Sequence, residues 1–254
     1  MCLLALAWLR HPRWRLVMAG NRDEFHSRPT APLGRWDDAE GIIGGRDLRS
    51  GGGWAAVGPA GRMAVVTNVR DPMAAQTGPS RGALVAGFLR HTHTAAMHAD
   101  QLARDAAAYA PFNLLLADAN GVQYLGNHPF ARQSLAAGVH GMSNGTLDAT
   151  WPKTRRLMDA LTAWLEAGQA SLDPLWAALA DEHRPADAEL PDTGIGMERE
   201  RWLSAAFIRG DDYGTRASTI IVIGHDGQGR IHERRFGPQG AFTGESSIPL
   251  ATGP

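Results

Sequence analysis

The sequence contains one cysteine, no excess of charge and no long apolar run, and each shortage excludes a class of protein. A single cysteine among 254 residues excludes an intrachain disulfide and a zinc site built from several cysteines. Lys and Arg total 25 against 26 Asp and Glu, so bulk charge provides no hold on nucleic acid or on an anionic membrane. No stretch of about 18 apolar residues is present, so we expect no transmembrane segment.

The N-terminus also lacks the features of a secretory signal. The apolar stretch over residues 2–9 is short, follows no basic region and precedes no small-residue cleavage site. We therefore expect a cytoplasmic protein, in whose reducing compartment the cysteine stays a free thiol. The composition, 44% hydrophobic and 20% charged, is typical of a globular protein with a substantial core. No linker or repeat divides the sequence, which predicts one domain over residues 1–254.

The one cysteine stands at position 2, directly after Met1. If an aminopeptidase removes Met1, Cys2 carries both a thiol nucleophile and a free α-amino group that can act as its base. An unperturbed α-amino group has a pKa of about 7.7–8.0, which suits it to accept the thiol proton near neutrality. The alternative is a small buried hydrophobic residue, the commoner role of a lone cysteine.

A predicted hairpin brings Cys2 beside a charged cluster. Residues 2–8 and 14–19 indicate two strands, and the polar, proline-containing segment between them indicates a turn. Hairpin register, with paired positions that sum to about 23, places Cys2 opposite Asn21. The start of the first strand then lies beside the sequence at 21–24, which holds one amide, one guanidinium and two carboxylates.

This cluster supplies the groups that a thiol nucleophile needs. Arg22 would favour the thiolate, and Asp23 would accept a hydrogen bond from the α-amino group and orient it. Adjacent side chains on a regular strand point to opposite faces. Both can therefore face Cys2 only if the chain bends, or if Asn21 or Glu24 replaces one of them, and we include these two as candidate substrate-binding residues. The alternative for the cluster is a solvated turn with a surface ion pair.

Donors for a developing oxyanion are predicted at the ends of two other strands. Asn68 ends an apolar run, and hairpin register places it near the glycines at 51–53, where a ligand can approach the backbone closely. Asn144 ends a short extended segment, although an asparagine also serves as a turn residue at such a position. Trp54 follows the glycine run and is a candidate wall of a substrate pocket.

The order of elements predicts an α+β fold. Strands and helices alternate in blocks, mostly as hairpins, which differs from the regular β-α alternation of a parallel sheet and fits helices packed on antiparallel sheets in layers. The predicted strands after the first hairpin lie at 42–47, 54–57, 63–68, 112–118, 122–125, 138–144, 215–224 and 230–236, and the predicted helices lie within 80–109 and at 153–167, 172–182 and 198–208.

Two further patterns argue against a metal or another cofactor. His91, His93 and His98 lie on a polar helical break without a carboxylate partner at i, i+4, so a solvated surface is predicted there rather than a metal site. The glycines at 44–45 and 51–53 lack the Lys-Ser/Thr ending of a phosphate-binding loop. We therefore expect no metal and no cofactor.

Several short motifs follow one another in a characteristic order and spacing. They are Met1-Cys2, Asn21-Arg22-Asp23-Glu24-Phe25, Gly44-Gly45-Arg46-Asp47 with Gly52-Gly53-Trp54, Thr67-Asn68, Phe112-Asn113-Leu114-Leu115, Ser143-Asn144 with Trp151-Pro152-Lys153, Leu190-Pro191-Asp192-Thr193-Gly194, and Tyr213-Gly214-Thr215-Arg216. Each motif alone is weak, but the ordered set is specific and resembles the NRDE family, relatives of the eukaryotic transport-and-Golgi-organisation protein 2. The resemblance runs from Met1 to about Phe236.

That family is in turn similar to N-terminal nucleophile hydrolases of the cholylglycine hydrolase and penicillin V acylase type. The similarity implies a four-layer αββα sandwich of two antiparallel sheets flanked by helices. It also implies roles for six residues: Cys2 as nucleophile and base, Arg22 and Asp23 as its partners, Asn68 and Asn144 at the oxyanion hole, and Arg216 as a second supporting guanidinium. From the sequence pattern alone, Arg216 is equally explained as an edge charge that limits aggregation.

Two functions are consistent with these features. The first is an amidohydrolase that cleaves a non-peptide C–N bond of a small acylated substrate through an acyl-enzyme on Cys2. The second is a non-catalytic carrier of haem or of a lipid or acyl ligand in a hydrolase-like pocket, since eukaryotic relatives have been linked to Golgi organisation, lipid metabolism and haem mobilisation. Either function predicts a small-molecule substrate or hydrophobic ligand as partner, and not a nucleic acid.

Overall fold

The structure is a computed structural model that describes residues 2–168 and 170–250, apart from the side chain of residue 2. Within these ranges no helix is long and apolar enough to cross a membrane. The strands are β1 (Cys2–Trp8), β2 (Trp14–Phe25), β3 (Thr30–Arg35), β4 (Ile43–Asp47), β5 (Ala55–Gly58), β6 (Arg62–Asn68), β7 (Phe112–Ala117), β8 (Val122–Asn127), β9 (Phe130–Ser134), β10 (Gly138–Met142), β11 (Tyr213–Gly224), β12 (Gly229–Phe236) and β13 (Phe242–Pro249). The helices are α1 (Gly82–Arg90), α2 (Ala95–Asp105), α3 (Pro152–Ala167), α4 (Asp173–Leu179) and α5 (Met197–Trp202).

The strands form two antiparallel sheets that pack face to face. The first sheet has the order β10-β1-β2-β11-β12-β13, and the second has the order β3-β4-β5-β6-β7-β8-β9. Side chains on successive strand positions point to opposite faces, so β1 contributes to two cores. Leu4 and Leu6 lie in the core between the sheets, whereas Leu3 and Ala5 face the helices that cover the first sheet.

Helices cover the outer face of each sheet. On the second sheet, Leu84 and Phe88 of α1 are buried in one cluster with Leu114 of β7. On the first sheet, Leu161 of α3 and Leu175 of α4 are buried against the outward-facing residues of β1 and β2. The predicted four-layer αββα sandwich of α+β class is therefore confirmed.

The predicted β1–β2 hairpin is also confirmed, but its register differs from the prediction by one residue. Cys2 pairs with Arg22 and Leu3 pairs with Asn21, so the prediction that Cys2 lies opposite Asn21 is wrong. The loop is one residue longer than expected, because the N–H of Leu9 donates to the carbonyl of Arg15 at 2.9 Å. The corrected register places the backbone of residue 2 beside a guanidinium-bearing residue instead of an amide.

The sequence analysis missed three strands, and all three lie at sheet edges. These are β3 and β9 at the two edges of the second sheet and β13 at one edge of the first. Most of their residues are exposed or half-buried, and polar side chains are usual on edge strands. Because the apolar alternation that predicts a half-buried strand is absent there, the sequence pattern gave no signal.

The predicted helix over 198–208 is also wrong in length, since α5 ends at Trp202. The following backbone groups bond to neighbouring elements instead of continuing the helix. The N–H of Phe207 donates to the carbonyl of Asp181 at 2.9 Å, and the N–H of Ile208 donates to Thr215 Oγ1 at 2.9 Å. This segment therefore links α4 to β11 immediately behind the end of β2.

Candidate active site

A cleft of about 500 Å³ opens at the end of β2, between the two sheets. Because the paired ends of β1 and β2 meet there, the cleft lies beside the N-terminal strand. Five predicted site residues line it: Arg22, Asp23, Glu24, Trp54 and Asn68. The thiol predicted at Cys2 and the predicted removal of Met1 lie outside the described residues, but the backbone pairing of Cys2 with Arg22 is described.

Arg22 is the central cation of the cleft. Its side chain is only 6% exposed, and its Nη2 lies 3.7 Å from both Glu24 Oε2 and Asp47 Oδ2. The guanidinium stacks on the Trp54 ring, 4.4 Å from the ring centroid, which is a favourable cation–π arrangement. Arg22 Nη1 is buried and makes no hydrogen bond to any described residue. A buried donor without an acceptor is costly, so this nitrogen is a candidate donor to a ligand or a thiolate.

Arg28 and Asp47 reinforce the charge pattern of the cleft, and the sequence analysis missed both as site residues. Arg28 Nε forms an ion pair with Asp47 Oδ2 and lies 3.7 Å from Glu24 Oε2. Burial alone would raise the pKa of Asp47, but the Arg28 hydrogen bond and charge, with the N–H groups of Ser50 and Arg49, lower it below its ordinary value. Asp47 is therefore an anion at neutral pH.

Packing explains why position 45, two residues before Asp47 in the same motif, is a glycine. A Cβ placed on Gly45 would lie 2.1 Å from two atoms of the Trp54 ring and 2.9 Å from Glu233 Oε2. Real Cβ atoms do not approach other atoms so closely, so only glycine lets the Trp54 ring lie under Arg22. The signal that could have marked Asp47 is its place in this motif.

Asp23 lies on the opposite face of β2 from Arg22, as strand alternation predicts. Its side chain is buried, and Asp23 Oδ1 accepts a hydrogen bond from Thr215 Oγ1 at 2.7 Å. Burial raises the pKa of Asp23 above its ordinary value, while the charges of Lys153 and Arg22 and the Thr215 bond oppose that shift. Lys153 is itself buried and donates to the carbonyl of Leu203 at 2.8 Å, so α3 supplies the nearby cation.

Asn21 does not line the cleft. Its Nδ2 donates to the carbonyls of Leu179 and Ala206 at 2.8 Å each, and its Oδ1 accepts from Ser218 Oγ at 2.6 Å. These bonds connect β2 to the helical layer on the outer face of the first sheet. Asn21 is thus placed as a structural residue, away from the cleft for which it was predicted as a substrate contact.

Asn68 and Asn144 are joined by a direct hydrogen bond. Asn144 is 1% exposed, and its Nδ2 donates to the carbonyl of Asn68 at 2.9 Å. Asn144 also accepts a backbone hydrogen bond from the N–H of Arg70 at 2.7 Å, and Thr67 Oγ1 donates to the carbonyl of Ser143 at 2.8 Å. These contacts fix the end of β6, so Asn68 lines the cleft and Asn144 holds it from behind.

A buried ion pair behind this pair of asparagines was not predicted. Arg70 Nη1 pairs with Glu200 Oε2, and both side chains are at least nine-tenths buried. Glu200 Oε1 accepts from the N–H of Thr193 at 2.9 Å, which anchors the 190–194 motif to the end of β6. From the sequence, the only signal for the Arg70–Glu200 contact is the 190–194 motif, because no charge pattern indicates it.

Arg216 is not part of the cleft. It lies at an irregularity in β11, where the pairing with β2 shifts between Thr215 and Ala217, and such bulges redirect side chains. Its Nη1 donates to the carbonyls of Phe25 at 2.8 Å and Arg28 at 3.0 Å, which holds the turn after β2. Arg216 instead lines a second, smaller cavity.

The carboxylates of the cleft are arranged for ion pairing with arginine. Asp47 and Glu24 both lie close to Arg22 and Arg28. Across the ranges that the structure describes, no three His, Cys, Asp or Glu side chains group closely enough to hold a metal ion. What the arrangement provides is a buried guanidinium with a free donor, set next to the first residues of β1.

Sequence comparisons identify a family and several relatives. The sequence profile of the Transport and Golgi organisation 2 family matches residues 1–238. The human Transport and Golgi organization protein 2 homolog is 31% identical over 244 residues, which cover 87% of this chain and 86% of the human protein. The protein of the same name from Drosophila melanogaster is 24% identical over 257 residues, covering 91% and 90%.

Two solved structures share the fold at low sequence identity. The conjugated bile acid hydrolase of Clostridium perfringens, solved as its C2A mutant, superposes with a TM-score of 0.57 at 8% identity, covering 98% of this chain and 92% of that one. The Caenorhabditis elegans ortholog of N-acylethanolamine-hydrolyzing acid amidase gives a TM-score of 0.50 at 10% identity, covering 87% and 92%. At these identities the likeness establishes the fold alone.

Proposed function

The chain belongs to the Transport and Golgi organisation 2 family, and from its fold and cleft we propose that it is an N-terminal cysteine amidohydrolase. Cys2, exposed as the N-terminus after removal of Met1, attacks the acyl carbon of a small acylated substrate and breaks a non-peptide C–N bond. The observation that carries the proposal is the β1–β2 register, which pairs Cys2 with Arg22, whose buried Nη1 has no acceptor among the described residues.

The first half of the proposed reaction forms an acyl-enzyme. The α-amino group of Cys2 accepts the thiol proton, and the thiolate forms a bond to the carbonyl carbon while the carbonyl π electrons move to oxygen. When the tetrahedral intermediate collapses, the C–N bond breaks and the α-ammonium group returns its proton to the leaving amine. Arg22 favours the thiolate through its positive charge.

In the second half, water replaces the amine. The α-amino group accepts a proton from the attacking water, the new C–O bond forms at the acyl carbon, and the C–S bond breaks. The proton returns to sulfur and the carboxylic acid leaves. In this proposal Asp23 accepts a hydrogen bond from the α-amino group, a role supported by its burial on the strand that pairs with β1.

The oxyanion of both intermediates needs a donor, and Asn68 is our candidate. It lines the cleft at the end of β6, whereas Asn144 is absent from the lining and only 1% exposed. Asn144 Nδ2 donates to the Asn68 carbonyl at 2.9 Å. We therefore assign Asn144 as a positioning residue that keeps Asn68 in place, instead of a second donor to the oxyanion.

The lining of the cleft favours a polar substrate. Besides the five predicted residues, its wall carries several charged and hydroxyl side chains: Arg28, Asp47, Arg49, Ser50, Ser80 and Arg81. One structural neighbour is named as an N-acylethanolamine-hydrolyzing amidase and the other as a conjugated bile acid hydrolase, which supports a hydrolytic reaction here. The polar wall gives less support to the alternative, a carrier of haem or of a lipid or acyl ligand.

The proposal is tested by hydrolysis assays with N-acylethanolamines and conjugated bile acids. We expect the wild-type protein to release an amine from at least one of these amides and Cys2→Ala to lose that activity, with unchanged circular dichroism. Ser247→Ala, at an exposed position of β13 that lines neither cavity, is a control that should keep the activity. Equal hydrolysis by wild type and Cys2→Ala would refute the proposal, and saturable haem binding without hydrolysis would favour the carrier.

A further inference from the structure

A second cavity of about 230 Å³ lies on the other side of the Arg22–Trp54 stack. The two cavities share only these two lining residues, so the stacked guanidinium and indole separate them. Strands β3, β11, β12 and β13 form the remaining walls. The volume is far above the roughly 10–15 Å³ that one ordered water requires.

The wall of this cavity includes a buried carboxylate that has only part of its hydrogen-bonding capacity used. Glu233 is 2% exposed. Its Oε1 accepts from the N–H of Leu33 at 2.8 Å and lies 3.4 Å from Arg235 Nη1. Its Oε2 makes no hydrogen bond to any described residue. An ionised carboxylate can accept about four hydrogen bonds, so Oε2 remains available to a donor inside the cavity.

Three arginines line the same cavity as this carboxylate. Arg22, Arg216 and Arg235 all line the cavity. Arg216 uses only Nη1 for its two carbonyl contacts, and its Nε and Nη2 make no hydrogen bond to described residues. Arg235 lies beside Glu233 and Arg22 lies beside Glu24 and Asp47, so Arg216 is the lining guanidinium with donors left for a ligand. A guanidinium can bind a carboxylate with two parallel hydrogen bonds.

We propose that this cavity is a second ligand site that binds a small amino acid. The carboxylate of the amino acid bonds to Arg216, and its ammonium group donates to Glu233 Oε2. This pairing gives the free donors of Arg216 an acceptor and gives Glu233 Oε2 a donor, which offsets the cost of a buried carboxylate oxygen without one. The site is independent of the hydrolytic proposal, because neither Cys2 nor its α-amino group takes part.

The test is calorimetric titration of the full-length protein with L-alanine as the probe. We expect saturable binding, with acetate and ethylamine each at least about tenfold weaker, because each lacks one of the two charge-assisted contacts. Glu233→Gln should weaken L-alanine binding about tenfold or more, whereas Glu245→Gln, an exposed glutamate on neighbouring β13, should not change it. The Cys2→Ala protein should bind L-alanine as well as wild type does.

A second pair of variants tests the site without altering its charges. Thr243 lines the cavity and is exposed, so Thr243→Trp should fill the entrance and abolish binding without loss of folding. Ser247→Trp, exposed on the same strand and absent from the lining, should bind L-alanine normally. The proposal is overturned if L-alanine shows no saturable binding up to about 10 mM, if acetate binds equally well, or if Glu233→Gln or Thr243→Trp binds unchanged.

Discussion

The two cavities that share the Arg22–Trp54 stack hold carboxylates whose pKa values shift in opposite directions. In the cleft, burial would raise the pKa of Asp47, but Arg28 and two backbone N–H groups lower it overall. In the second cavity, burial raises the pKa of Glu233, and the Leu33 N–H, Arg235 and Arg22 only partly oppose it. The sign of the shift follows from both burial and donors, because Glu233 is the more deeply buried carboxylate and has fewer close donors than Asp47.

This difference shows that one stack can separate two electrostatic environments. In the cleft, Arg22 and Arg28 lie close to both Glu24 and Asp47, while Arg22 Nη1 has no acceptor among the described residues. The second cavity leaves Glu233 short of donors and part of Arg216 without an acceptor. We therefore expect substitutions in the Arg22–Trp54 stack and at the two carboxylates to change stability in different ways.

The largest effect on stability is expected from removing the Trp54 indole, which separates the two cavities. Trp54 is 8% exposed, so Trp54→Ala should join the two cavities and lower the free energy of unfolding by about 3–5 kcal/mol. Urea denaturation measures this loss. Trp14→Ala, at a half-buried tryptophan of β2, is the control and should cost less. A loss below about 1 kcal/mol for Trp54→Ala would mean that the indole does not support both walls.

Gly45→Ala should disturb the same stack from below, with a smaller effect. The new methyl group overlaps the Trp54 ring at 2.1 Å, so the ring must move, at an expected cost of about 1–3 kcal/mol in unfolding free energy. Gly121→Ala is the matched control, because a Cβ there meets its nearest neighbour, Gln123 Nε2, only at 3.9 Å. Equal denaturation midpoints for the two variants would contradict the proposed role of Gly45.

The pH dependence of stability should separate the two carboxylates. The pKa of Glu233 is raised in the folded state above its ordinary 4.5, so the folded protein holds this proton to a higher pH than the unfolded chain does. Stability therefore falls as pH rises from 4.5 to the folded pKa. Asp47 has a folded pKa below 3.8, so its contribution is present above 3.8 and is lost as pH falls. Each proton contributes at most about 1.4 kcal/mol per pH unit to the slope.

Urea denaturation at several pH values tests this opposition through two variants. Glu233→Gln should remove the loss of stability that wild type shows as pH rises above about 4.5. Asp47→Asn should remove the gain in stability that wild type shows as pH rises towards 3.8 from below. Difference slopes of the same sign for the two variants would contradict the account.

The smallest effect is expected at the rim of the cleft. Glu24 is 24% exposed and lies 3.7 Å from Arg22 and Arg28, so screening by solvent limits these pairs. Glu24→Gln should change the unfolding free energy by about 0–1 kcal/mol, as measured by urea denaturation. A loss above about 2 kcal/mol would show that Glu24, and not Asp47, is the main anion beside Arg22.

Local pattern and family resemblance together predicted the layers of the fold, and five of the predicted site residues line the cleft. The β1–β2 hairpin follows from two apolar runs around a proline turn, but its register depends on one extra loop residue, closed by the Leu9–Arg15 hydrogen bond, which no local pattern specifies. The edge strands β3, β9 and β13 carry polar residues on exposed faces, so hydrophobic periodicity cannot detect them.

The partners of the site residues were harder to predict because they come from distant parts of the chain. Glu233 contacts Leu33 across the two sheets, and Glu200 pairs with Arg70. Such contacts depend on how the sheets pack, which motif spacing does not encode. Asn21 shows the converse, since it belongs to a site motif and yet bonds to the helical layer.

The central claim, an N-terminal cysteine nucleophile, is tested most directly by mass spectrometry of the intact protein and of its first tryptic peptide. The protein is mixed with an N-acyl amide that it hydrolyses, and the reaction is quenched rapidly. We expect a protein without Met1 and an acyl group on the peptide of residues 2–10, which ends at Arg10. The adduct should be absent in Cys2→Ala. Retention of Met1 on the purified, amide-hydrolysing protein would contradict the claim, because the α-amino base would not exist.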